Sequence, residues 1–347
     1  MNELTDRQRF ILSLVIHEYI RSAIPVGSQH MVDQYRLDLS SATVRNELAE
    51  LTDLGYLRQP HPSAGRVPTE EGYRLFVSSL VQSTEIPETL RRTISHQFYQ
   101  MRQDVEQWTR LAASVLAHQA RAASLVTAPH YEQTLFKHLE LISSRGRQVL
   151  MVLVTVGGEI LQRFFTLAEP VSQEQLSSSA NKLTHLLANQ PLEKIQAMTL
   201  DLDSLEKDVL EIIIDEMKQA DSLVAGDVVI DGLTNVLAEP EFSGSEDARR
   251  ALRVLEEKPL LQDLLSETVL RGSSVSGVQV LIGGEGVIEA LSQCSVVLAR
   301  YGTPGMATGT LGVLGPMRMP YGRTISIVRF LSGLLSDLVN QNLNEIS

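Results

Sequence analysis

The sequence predicts a multidomain α+β chain: a small helical domain closed by a two-stranded ribbon, a long linker helix, and an α+β domain interrupted by a mostly helical insert. Three observations carry that prediction. Apolar residues recur at helical spacing in three short stretches before residue 55, and two short extended runs follow. Nearly uncharged β-rich runs recur at 149–156, 278–282, 295–298 and 310–314. Between these runs lies an acidic, helix-like stretch, 193–270.

Composition narrows the class. At ~100–200 residues per domain, 347 residues suggest two or three domains. An apolar content of 43% excludes a largely disordered chain. The lone Cys294 excludes an internal disulfide and fits a reducing compartment. With no basic and apolar leader at the N-terminus, the expected location is cytoplasmic. No apolar run approaches the ~20 residues of a membrane helix, so no membrane partner is expected. The net charge of −12 is unevenly spread: residues 193–270 hold 7 basic and 19 acidic side chains. Residues 1–84 hold eight Arg and ten acids, and the first lysine is Lys137. Arginine offers a planar fork suited to phosphate and guanine edges.

The first domain, 1–84, reads element by element. Thr5-x-x-Gln8 is a capping box opening a helix that carries Phe10, Ile11, Leu14, Val15 and Tyr19. The run 24–28 breaks it, and Ser28 is placed to cap a second helix ending near Tyr35. Val44, Leu48, Leu51 and Leu54 mark one face of a third helix, which Gly55 stops. Residues 56–59 read as a strand, 61–66 as a turn and 67–68 as its return; Thr69 then caps a helix with Tyr73, Phe76, Val77 and Leu80.

Three short helices and a ribbon form the layout of a winged helix-turn-helix. With Val44, Leu48 and Leu51 buried, Ala42, Thr43, Arg45, Asn46 and Ala49 face outward. The small, polar start of the third helix suits a major groove, and its free N–H groups suit phosphate. The candidate DNA contacts are Ser28, then Ser40, Ser41, Thr43, Arg45 and Asn46, then Ser63, Gly65 and Arg66 of the ribbon, with Arg66 placed at its tip. Base-edge contact is expected of Arg45 and Asn46. The same layout also serves protein-interaction modules, so layout alone leaves two readings.

Residues 85–130 read as one long linker helix. Ile94, Phe98, Met101, Val105, Trp108, Ala112 and Val115 form a heptad seam, either a coiled coil or an amphipathic face packed within its own domain. Two β-rich runs around Gly157-Gly158 predict a hairpin with a two-residue turn. Residues 172–190 and the C-terminal run with Ile327, Leu331, Leu334 and Leu338 read as helices. Residues 131–192 and 271–347 thus form one α+β domain, and 193–270 its insert, with helices over 205–218, 246–257 and 260–270.

These motifs resemble one family. Pro25-Val26-Gly27-Ser28, the stretch Ser40 to Leu51, Leu54-Gly55-Tyr56-Leu57, Pro62 to Thr69, and Leu311 to Tyr321 together resemble the HrcA family of heat-inducible transcription repressors, in order and in spacing. The resemblance implies a winged-helix domain, a GAF-like domain and an inserted dimerisation domain. It further implies a homodimer on double-stranded DNA, at an inverted-repeat operator called CIRCE ahead of chaperone operons, kept active by the GroEL chaperonin. The dimer contact is expected from Leu205, Val209, Ile212 and Ile213, with Leu260, Leu261, Leu264 and Leu265, and with the acids on the rim. A metabolite-responsive regulator sensing a small molecule through the GAF-like domain is the alternative.

No enzyme constellation is read. Gly283-Gly284-Glu285-Gly286 lacks the lysine of a phosphate loop and reads as a turn, as do the stretches 301–305 and 309–312. The eight histidines are dispersed, and none pairs with Cys294 at zinc spacing. No cofactor and no metal is expected.

Overall fold

The computed structural model describes residues 4–346 apart from 82–83, 103, 132, 223–226, 243–249, 251–252, 256, 258–259, 262–263, 266–276 and 284–288. The expected turn at Gly284–Gly286 and much of the expected helices over 246–270 lie outside the described residues.

The N-terminal elements follow the sequence pattern. Helix α1 (Asp6–Ser22) opens on the expected box: Thr5 Oγ1 accepts from the Gln8 amide at 3.2 Å, and the Thr5 amide donates to Gln8 Oε1 at 3.0 Å. Helices α2 (Ser28–Tyr35) and α3 (Ser41–Asp53) follow, then β1 (Leu57–Arg58), β2 (Val67–Pro68) and α4 (Glu70–Leu75), prolonged to Leu80 by a wider turn. Ile11, Leu12, Val15, Met31, Val44 and Leu51 are fully buried and make its core. Gly55 ends α3 at φ 85°, a conformation costly for any residue with a Cβ.

The linker is not one helix. It divides into α5 (Glu88–Gln100) and α6 (Val105–Ala120). Asp104 caps the second, accepting from the Gln107 amide at 3.0 Å, so a local hydrogen bond outcompetes a continuous seam. Ile94, Phe98, Trp108 and Ala112 are buried, whereas Val105 is exposed. Residues 123–127, expected to be helical, form a wholly buried strand, β3 (Ala123–Thr127).

The remaining elements are β4 (His130–Tyr131), β5 (Phe136–Arg145), β6 (Gln148–Thr155), β7 (Ile160–Thr166), α7 (Gln173–Leu187), α8 (Leu192–Ala197), α9 (Ser204–Ser222), β8 (Val228–Asp231), α10 (Leu233–Leu237), β9 (Val278–Ile282), β10 (Cys294–Gly302), β11 (Ala307–Pro316) and α11 (Tyr321–Ile346). The sequence pattern does not predict β5. The Gly157-Gly158 hairpin forms, but its loop is longer than two residues: the Thr155 amide donates to the Glu159 carbonyl at 3.0 Å.

The chain forms two compact units. The first comprises 1–128, 227–302 and 309–347; the second comprises 129–226 and 303–308. The expected boundary at 193 divides a packed body, because α9 lies on the same hydrophobic core as β5, β6, β7 and α7. The acidic stretch is therefore shared: α9 belongs to one unit and β8 to the other.

In the first unit a sheet runs β8-β3-β11-β10-β9, with α6 and α11 packed on it. The GAF-like domain is expected over 131–192 and 271–347; the sheet instead takes in β3 and β8, and 131–192 belongs to the second unit. Gly309 and Gly312, read as turn residues, lie inside β11. A Cβ at Gly309 would come within 2.5 Å of the Tyr301 ring, so glycine is there for close approach rather than for turning. Tyr301 is buried, donates its hydroxyl to the Thr127 carbonyl, and meets the edge of Trp108 at 6.0 Å. Cys294 is buried at the start of β10.

The segment between β11 and α11 joins this core to the winged-helix elements of the same unit. Arg318 forks onto Glu239 and Glu241, and donates to the Ile20 carbonyl of α1 at 3.5 Å. The Tyr321 ring lies 6.1 Å from Tyr73 and 6.4 Å from Phe76. Arg318 is only 13% exposed, so its charge depends on both carboxylates. Replacing Arg318 with Ala is expected to cost on the order of 2 kcal/mol. Denaturant unfolding, with amide exchange at residues 17–22, checks this; unchanged stability and exchange would remove Arg318 from the account.

In the second unit the sheet β5-β6-β7 is antiparallel, and one face is covered by α7, α8 and α9. Val209, Ile213 and Met217 of α9 are wholly buried in that core, and in the first unit Leu261, Leu264 and Leu265 are also buried. Of these, Val209, Ile213, Leu261, Leu264 and Leu265 are expected at a dimer contact and are already used within the chain. The opposite face of the sheet is open and mixed, with exposed apolar side chains beside His138, Glu140 and Gln162. Register sets Ile142 against Leu150 and Leu150 against Phe164, and Val154 against Ile160. Ile142, Ile160 and Phe164 are 45%, 60% and 65% exposed.

Candidate nucleic-acid interface

Helix α3 is placed by its buried stripe and by its cap. Ser40 Oγ accepts from the Thr43 amide at 3.1 Å and pairs with Thr43 Oγ1 at 2.9 Å. Ser40 and Thr43 are thus engaged with each other at the helix start, and Ser41 is half-buried. Val44, Leu48 and Leu51 face inward, which turns Ala42, Arg45 and Asn46 out to solvent. Glu47 and Glu50 of α3 are held by α1: Arg7 lies 3.4 Å from Glu47, and Gln8 Nε2 donates to Glu50 Oε2 at 2.7 Å. Among the described residues no carboxylate pairs with Arg45. The exposed start of α3 therefore presents a cation and an amide to an anionic ligand.

The wing is tied down at its base. The Val26 and Arg66 backbones exchange two hydrogen bonds of 2.8 Å. A Cβ on Gly65 would lie 2.4 Å from the Val26 carbonyl, so only glycine lets the strands approach. Gln59 Nε2 donates to the Pro62 and Ala64 carbonyls, closing the loop. The exposed tip is His61-Pro62-Ser63. Arg66, expected at the tip, is instead half-buried at the base, where its Nε donates to Thr52 Oγ1 at 2.9 Å. Backbone pairing with Val26 takes it there. Gly65 likewise has a packing role, and of the three ribbon candidates only Ser63 is at the exposed end.

Ser28 also departs from its expected role. It is the first residue of α2 rather than its cap; Gly27 holds the cap position without a side-chain bond, and Ser28 is 9% exposed. Ser28, Arg45, Ser63, Gly65 and Arg66 nonetheless converge on one cleft of about 450 Å³ between α2, α3 and the wing. Gln29, His30 and Gln59 line it too, and sequence reasoning missed them. The only sequence signal for them is their nearness to Ser28 and to the strand of the wing.

Behind the cleft sits Glu18 of α1, 3% exposed. Its carboxylate accepts from Arg21 at 2.9 and 3.0 Å, from the Tyr35 hydroxyl at 2.9 Å, and faces His30 Nε2 at 3.1 Å. Burial raises this carboxyl, but the bonds from Arg21, His30 and Tyr35 outweigh it and hold the group below the usual carboxylate range. Burial and the bond to Glu18 push Tyr35 up to about 12. Among the described residues no cluster of His, Cys, Asp and Glu is arranged to hold a metal, and no helix is long and apolar enough to cross a membrane.

Three helices with a strapped wing and a cationic recognition face define a winged-helix DNA-binding regulator. Residues 3–91 match the winged helix-turn-helix transcription repressor, HrcA DNA-binding family, and residues 106–325 match the HrcA protein C terminal domain. The chain is 45% identical to the heat-inducible transcription repressor HrcA of Roseiflexus castenholzii, over 97% of this chain and 95% of that one. It is 39% identical to the protein of that name from Chloroflexus aurantiacus, over 97% and 94%. A solved structure described as a hypothetical protein shares the fold at TM-score 0.60 and 22% identity, covering 98% of this chain and 99% of that one. The chain belongs to the HrcA family of heat-inducible transcription repressors, which are DNA-binding regulators and not enzymes.

Arg45→Ala is expected to weaken operator binding by about 1–3 kcal/mol, and random DNA by less. Competition binding with both duplexes measures the difference; equal losses would make Arg45 a phosphate contact only. Gly65→Ala is expected to displace the wing and weaken both, with the salt slope of binding becoming shallower.

Proposed function

We propose that this protein represses heat-shock chaperone operons by binding, as a homodimer in the cytoplasm, to an inverted-repeat operator of the CIRCE type, and that the GroEL chaperonin sets the amount of active repressor. The carrying observation is the outward face of α3, where Arg45 and Asn46 stand free while Glu47 and Glu50 are engaged by α1. Ser28, Ser40, Ser41, Thr43 and Ser63 surround it as phosphate or sugar contacts, with Arg66 beside them at the base of the wing.

An inverted repeat calls for two heads related by a two-fold axis. The exposed Ile142, Ile160 and Phe164 on the open face support a second copy as its occupant, because a monomer gains nothing from leaving them in water. Chaperonin dependence is supported by chain order. Strands β3 and β8 pair, Val126 opposite Val229, only after the intervening residues 129–226 have been made. Such long-range pairing slows folding and prolongs exposure of the uncharged 149–156 run.

Fluorescence anisotropy with an inverted-repeat duplex, a single half-site and a scrambled duplex tests the DNA reading. Strong preference for the inverted repeat is expected; equal binding to all three overturns it. Phe164→Asp is expected to convert the dimer to a monomer by light scattering while far-UV circular dichroism is retained. A dimer that persists moves the interface elsewhere. Spontaneous refolding is expected to yield less operator-binding protein than refolding with chaperonin. A fully dimeric protein that still requires chaperonin to bind would reverse the role assigned to it.

A further inference from the structure

The Glu18 cluster does more than join two helices. Its carboxylate is buried on α1, and both His30 and Tyr35, which bracket α2, reach it. The His30 side chain is 52% exposed on its other side and lines the cleft together with Arg45 and Arg66. One imidazole therefore spans from a buried anion to the surface assigned to DNA. We propose that His30 is a further contact to the DNA backbone, oriented by Glu18, and that operator binding takes up a proton at this ring. This rests on the reading of the cleft as the DNA interface.

The chemistry follows from the two ring nitrogens. With Nε2–H given to Glu18, a neutral ring keeps a lone pair on Nδ1, which repels a phosphate oxygen. A protonated ring carries N–H on both nitrogens and is held between two anions, Glu18 and phosphate. The ring meets Glu18, which also holds Arg21 of α1 and the Tyr35 hydroxyl, and it shares the cleft lining with Arg45 of α3 and Arg66 of the wing. A phosphate at the exposed ring nitrogen attracts the protonated ring and not the neutral one, so proton and DNA favour each other. Affinity then rises as pH falls through the imidazole range, by at most about tenfold per unit for one proton. Glu18 acts through His30 and is a positioning residue.

The test uses the full-length protein and an inverted-repeat duplex at constant ionic strength, from about pH 8 to about pH 6. The wild-type operator Kd is expected to fall roughly threefold or more per unit. His30→Gln is expected to flatten that dependence. The other histidines of the head are His17 and His61 of the wing, so His17→Asn and His61→Asn are expected to keep the slope. Glu18→Gln is expected to shrink the slope, and Glu18→Asp to restore part of it. Calorimetry of the wild type in buffers of different ionisation enthalpy reads proton uptake directly and needs no variant. A pH-independent Kd with no proton uptake overturns the proposal, as does a slope that survives His30→Gln. If no duplex is bound at any pH, the DNA reading falls with it; binding that is firm but pH-independent removes only the role of His30.

Discussion

Two backbone hydrogen bonds between Val26 and Arg66 place the wing, and the rest of the DNA-binding head is arranged around them. They draw the ribbon against the turn between α1 and α2, which only Gly65 permits because any Cβ there would strike the Val26 carbonyl. The same crossing carries the Arg66 side chain away from the tip and onto Thr52 at the end of α3. A cleft bounded by α2, α3 and the wing is the result, and its walls carry Arg45, Arg66 and His30. The site is thus a consequence of backbone approach as much as of its side chains.

The head is not free of the core behind it. Arg318 bridges the Ile20 carbonyl of α1 and the carboxylates of Glu239 and Glu241, and Tyr321 packs against Tyr73 and Phe76. A motif near the C-terminus that resembles a family signature in sequence is, in three dimensions, the contact between the winged helix and the α+β core. Its residues need fixed positions on both sides at once, which is a physical reason for a compact pattern of Gly, Pro, Arg and Tyr in 311–321.

Charge and apolar surface divide differently from the way the sequence suggested. The acidic stretch reads as one inserted domain, yet its longest helix buries Val209, Ile213 and Met217 against the sheet β5-β6-β7. Those residues stabilise the second unit and are spent there. The surface left open is the other face of the sheet, where alternation places Ile142, Leu150 and Phe164 in one row across three strands. A face of this kind gains by being covered, whereas of the acids of α9 Asp208, Glu211 and Asp215 remain solvated and Glu206 is buried against Lys182.

The winged-helix elements were legible in the sequence because each rests on local chemistry: the Thr5 box, the Ser40 and Thr69 caps, Gly55 after α3, and the stripe Val44, Leu48, Leu51. The exposure of Arg45 and Asn46 followed from that stripe alone. Strand 278–282 and the middles of 294–302 and 307–316 are legible too, as the β-rich runs 295–298 and 310–314, while the glycines near their ends read as turns. Tertiary structure decided the rest. The break in the linker at Asp104 is local, a cap onto the Gln107 amide, but tertiary structure turned 123–127 into a central strand, since a buried position in a sheet outweighs helical spacing. It moved the unit boundary to 129 and 226, moved Arg66 to the base of the wing, and set His30 on Glu18, twelve residues away along the chain. Periodicity reports which side of an element is apolar; which partner that side meets is a property of the packed whole.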